Sequence, residues 1–77
     1  MNAADIKDGI VVAVYAGAGV TAIMEVLRVD RRAGIVHVQH LPVHPDEPVV
    51  GYYPLRSLKD AHVITDPARI AELKGEP

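Results

Sequence analysis

The chain has no cysteine. That excludes a disulfide framework and a thiolate metal site, and it fits a reducing compartment. There is no tryptophan and no phenylalanine, and the only aromatic residues are three tyrosines, so the core has to be aliphatic. Ser57 is the single serine, and Thr21 and Thr65 are the only threonines. Nucleophilic catalysis needs such a group beside a base, and a serine in a predicted tight turn more often bonds the backbone. No sign of charge dominates: the net charge is −2. The one adjacent basic pair, Arg31-Arg32, falls at a predicted turn, so the basic face of a nucleic-acid binder is missing. The longest apolar run, Gly9 to Met24, is too short and too glycine-rich for a membrane-spanning helix. With Asp5 and Asp8 near its start, the chain lacks a cationic signal-peptide opening. The expectation is a soluble, cytoplasmic protein without a membrane partner.

What the chain does have is aliphatic residues in excess. Apolar residues make up 49% of 77 positions. A chain of this length buries only about 60% of the surface its unfolded form exposes. Small domains usually need a staple, and with disulfides and a thiolate metal site excluded the remaining one is self-association.

The pattern along the chain reads as short strands. Residues 1–8 read as a frayed lead-in. Ile10 to Tyr15 is β-branched and predicts a first strand, with Ile10, Val12 and Val14 toward the core and Val11, Ala13 and Tyr15 on the other side. Both sides are apolar, so both must be covered. Ala16 to Gly19 is a flexible loop. Its glycines resemble a phosphate cradle, but no helix or lysine follows. Thr21 to Val29 is a second strand whose alternation slips near Glu25–Leu27, as a β-bulge would require. Asp30 to Gly34 is a hairpin turn. Ile35 to Leu41 is a third strand, with Val36 and Val38 on one face and Ile35, His37, Gln39 and Leu41 on the other. The proline-rich stretch Pro42 to Pro48 is a loop. Val49 to Tyr53 forms a fourth strand that Pro54 ends. Leu55 to Leu58 fits one 3-10 turn, and Ala61 to Ile64 a short fifth strand. Asp66-Pro67 then opens a helix that Gly75 stops. A helix so short is unstable alone. Its expected seat is an open end of a barrel or a neighbouring subunit.

The segment Gly51-Tyr52-Tyr53-Pro54 with Leu55 to Leu58 resembles the lead into the 3-10 turn of SH3 domains. That resemblance implies a mainly β, SH3-like five-stranded barrel with the 3-10 turn before the last strand. In that family the proline and nearby aromatics line a groove for proline-rich peptides, whereas this chain has no tryptophan to complete one. Thr21 to Leu58 also resembles Tudor-type domains, through Val29-Asp30-Arg31-Arg32 and Pro54 to Leu58. Their aromatic cage for methylated lysine or arginine takes three or four rings. Val50-Gly51-Tyr52-Tyr53-Pro54 with Leu58 is similar to the final motif of the type II, plasmid-borne dihydrofolate reductases, which are small barrels assembled around a pore. Tyr53 and Pro54 match; the pore glutamine falls on Gly51 and the isoleucine on Tyr52. This resemblance implies self-assembly.

Among candidate ligands, His37 and His40 point to opposite faces of a strand and cannot share an ion. His40 with His44 across the Pro42 corner, completed by His62 or Asp46, is the remaining arrangement, short of a metal site with its outer shell. No metal and no cofactor is expected. The sequence therefore predicts one domain, with a barrel over residues 9–64 and a helix over 66–75. Its expected function is a non-enzymatic interaction or assembly module that contacts itself or another protein, with nucleic acid disfavoured. The contact surface is Val11, Ala13, Tyr15, Ile35, His37, Gln39 and Tyr52 or Tyr53. The alternative is an oligomeric small-molecule-binding or reductase-like enzyme with its site at a subunit junction.

Overall fold

The computed structural model describes residues 5–43, 46 and 48–75, with Ala16 as backbone only. It contains one five-stranded antiparallel sheet: β1 (Val11–Gly17), β2 (Val20–Asp30), β3 (Ile35–Leu41), β4 (Val50–Pro54) and β5 (His62–Ile64). A 3-10 turn (Leu55–Leu58) links β4 to β5, and α1 (Pro67–Leu73) follows. The strand order is β4-β3-β2-β1-β5. No ladder joins β4 to β5 among the described residues, so the sheet is open and these two strands are its edges.

Local chemistry fixes the corners. The Asp30 carboxylate accepts from the Ala33 amide at 3.0 Å, and Gly34 takes φ +69°, a conformation that costs glycine nothing. Ser57 Oγ donates to the Pro54 carbonyl at 2.7 Å, inside the 3-10 turn. The Asp66 carboxylate caps α1 by accepting from the Ala68 amide at 3.1 Å, with Pro67 in the first turn.

The bulge in β2 decides which residues reach the core. Val26 lies opposite Val38 and Arg28 opposite His37, so Leu27 is the extra residue. Period-two alternation would send Val29 to the face opposite Met24 and Val26. The extra residue resets the phase, and Met24, Val26 and Val29 all turn to the inner face while Leu27 is extruded to 43% exposure.

The inner face packs Val12, Met24, Val26, Val36 and Val38 against Leu58 and Ala61 from the segment between the edge strands. Ile6 completes this core at 0% exposure. The expected frayed lead-in is thus wrong for its described part. Asp8 accepts from the Val29 amide at 2.9 Å, and Arg31 donates to the Ile6 carbonyl at 2.6 Å. These bonds hold the segment against β2 so that one isoleucine plugs the core.

Truncating that plug leaves a cavity. Ile6→Ala is expected to lower the unfolding free energy by about 2–4 kcal/mol in chemical denaturation. A loss below about 0.5 kcal/mol, the range of ordinary surface substitutions, would mean that Ile6 is not part of the core.

Candidate interaction surface

The outer face of the sheet mixes apolar with polar residues, and it divides into a half that α1 partly covers and an uncovered half. Register places Val11, Ala13 and Tyr15 of β1 beside Glu25, Ile23 and Thr21 of β2. Gln39 and Leu41 of β3 continue two of these rows, and Ile64 and His62 of β5 extend them on the far side. Farther along, Arg28, His37 and Tyr52 form one outer row, and Val50 stands opposite Gln39.

The helix α1 lies over part of the first half, beside Glu25 and Ala13, and leaves Tyr15 exposed at the hairpin end. Lys74 Nζ lies 2.7 Å from Glu25 Oε2, and the Val43 amide donates to the Leu73 carbonyl at 3.0 Å. Arg69 borders one shallow groove with Ala13 and Ile64 and another with Pro42 and Leu73. The apolar stripe of the helix, Ile70, Ala71 and Leu73, is half-buried. Beneath this cover Val11 is 1% and Leu41 8% exposed. The helix was expected at a barrel end or on another subunit; it sits instead on the chain's own sheet. The ion pair aligns it, but the pair is partly solvated and contributes at most about 1 kcal/mol. Burial of aliphatic surface does most of the holding.

This placement sorts the expected contact residues. Val11 belongs to the chain's internal packing. Ala13 is half-buried beside the helix. Tyr15 is 70% exposed, and its hydroxyl accepts from the Gly19 amide at 3.3 Å, which folds it over its own hairpin. Ile35 and Gln39 are half-buried on the outer face. Tyr52 and Tyr53 point to opposite faces, as their adjacency requires. Tyr53 packs against the core, and its hydroxyl lies 2.9 Å from His40 Nε2. Tyr52 is 70% exposed, with its ring centroid 6.2 Å from that of His37.

The uncovered half centres on β4. Leu27, His37, Val50, Gly51 and Tyr52 line a shallow groove of about 420 Å³. Val50 is 64%, Val49 47% and Leu27 43% exposed. Arg28 Nη2 lies 3.3 Å from His37 Nε2 and places the nearest charge at the rim. Sequence reasoning missed Leu27, Val49 and Val50. Leu27 was already marked by the phase slip, since a bulged residue has no place in the inner row.

His37 and His40 face opposite sides as expected, and His44 lies outside the described residues. No group of three or more metal-ligating side chains occurs among the described residues. No described helix is long and apolar enough to cross a membrane. Comparison with family models, with curated proteins and with solved structures finds no match to this chain.

If α1 is the cover of Val11, unseating it must free the bond between Val43 and Leu73. Leu73→Asp should speed hydrogen exchange of the Val43 amide at least tenfold while the β2–β3 ladder amides stay protected. Unchanged exchange at Val43 would show that the helix is held by other means.

Proposed function

We propose that this chain is a small non-enzymatic interaction or assembly module, built on an SH3-like barrel and contacting itself or another protein through the uncovered half of its outer face. Strand order β4-β3-β2-β1-β5, with a 3-10 turn joining the two edges, supports the barrel reading at the level of topology. The observation that carries the functional reading is the cluster of Leu27, Val50 and Tyr52 around the β4 groove. Scattered exposed apolar residues are ordinary on a protein surface, but a contiguous patch is not.

The magnitudes favour association. Full burial of a valine, leucine or phenylalanine-sized side chain is worth about 1.5–3 kcal/mol. Leu27, Val50 and Tyr52 together supply several kcal/mol from each partner. Set against the cost of immobilising two molecules, at least about 4 kcal/mol, that leaves room for weak association. Tyr52 beside His37 is the natural anchor, because exposed tyrosine is enriched at interface centres. Contact residues on this reading are Tyr52, His37, Val50 and Leu27, with Ile35 and Gln39 at the margin.

Sedimentation velocity over a range of concentrations tests the reading. The wild-type protein should depart from the 8.3 kDa monomer as concentration rises, and Tyr52→Asp should restore the monomer without loss of folding. A monomer throughout the range would remove the assembly part of the proposal.

A further inference from the structure

The edge of β4 offers backbone hydrogen-bonding groups as well as side chains. In an antiparallel ladder, alternate residues exchange both backbone bonds with their partner, and the residues between them point their N–H and C=O away. Two bonds fix the phase here. The His40 amide donates to the Val49 carbonyl at 2.8 Å, and the Leu55 amide donates to the Gly34 carbonyl at 2.8 Å. Val49 and Leu55 therefore bracket a ladder in which Gly51 and Tyr53 bond inward to β3. Val50 and Tyr52 direct their N–H and C=O groups to the free edge, and no strand neighbours that edge among the described residues. The strand carries no charged residue, and charge is a usual device against edge pairing. The other edge, β5, is only three residues long and half-buried in part, so it is the weaker template.

We propose that β4 pairs antiparallel with β4 of a second copy, about a two-fold axis at Gly51, joining the two sheets into one. This rests on the interaction reading above and names its partner and its geometry. The sequence of the strand is self-complementary in this register. Val50 of each copy exchanges both backbone bonds with Tyr52 of the other, and the same pair of side chains meets on the outer face. Gly51 lies on the axis opposite itself, where the absence of a side chain permits close approach. Pro48 faces Pro54 of the other copy, and neither has an N–H to donate, so the ladder stops at both ends. A foreign strand would have no reason to match the apolar centre and the proline ends in this order. Because the contact is isologous, it closes at a dimer.

The absence of cysteine makes a direct test available. Gly51→Cys introduces the only thiol, and a side chain there meets nothing within 4 Å. Residues facing each other in a non-hydrogen-bonded antiparallel pair have Cα atoms about 4.5 Å apart, within disulfide reach. Under mild oxidation, Gly51→Cys should form a covalent dimer at least tenfold faster than Thr21→Cys, an exposed control at the far end of β2. Independently, Val50→Pro removes an outward N–H that β3 does not use. It should weaken dimerisation at least tenfold while the thermal transition stays cooperative. If the wild-type protein associates but Gly51→Cys cross-links no faster than the control and Val50→Pro associates normally, the edge pairing is wrong and the interaction reading survives. If the wild-type protein is monomeric at every concentration, the edge pairing and the self-association part of the interaction reading both fall.

Discussion

The structure depends on one constraint: a sheet with two apolar faces in a chain too short to cover both. A sheet apolar on one side needs a single cover. Here Val12, Met24, Val26, Val36 and Val38 fill one side, while Val11, Ile23, Leu41 and Ile64 line the other. The available covers are an isoleucine before β1, a 3-10 turn between the edge strands, and a helix of seven residues. At 1.5 Å rise per residue such a helix spans about 10 Å, roughly two strand spacings. Tied at Glu25 and at Val43, it covers part of the outer face and leaves the β4 side open.

Each irregular feature works on that shortage. The bulge at Leu27 turns Val29 inward and so adds to the inner core, at the cost of pushing a leucine out. The lead-in delivers Ile6 to a core that the strands alone do not fill. The 3-10 turn delivers Leu58 to the same inner core. Apart from Tyr15 at the hairpin end, what remains exposed on the outer face is Leu27, Val50 and Tyr52, and these sit together at the β4 edge of the strand order.

The strands, the hairpin at Gly34, the 3-10 turn and the capped helix were legible in the sequence, because each is set by local chemistry. Proline and glycine mark the ends, β-branched runs mark the strands, and Asp66-Pro67 marks the helix start. The slip in β2 was legible too, since periodicity breaks where a residue is inserted. Long-range packing was not. Ile6 has no periodic partner in its short segment, so nothing local announces that it enters the core. The seat of α1 depends on Glu25 and Val43, residues far from it along the chain. Val11 consequently looked like surface and is interior. Tyr52 was legible as an outward residue once Tyr53 was assigned inward. Val50 was overlooked beside it because an apolar residue in a strand reads as core unless its neighbours in space are known.

This account of an uncovered half predicts a particular alternation along one strand. Residue-resolved amide hydrogen exchange on β4, at low and at high protein concentration, measures it directly. Gly51 and Tyr53 should be protected at both concentrations, because β3 holds them. Val50 and Tyr52 should exchange rapidly in dilute solution and slow markedly when concentrated. Equal protection of all four amides in dilute solution would contradict the account, because it would mean that the chain covers this edge by itself.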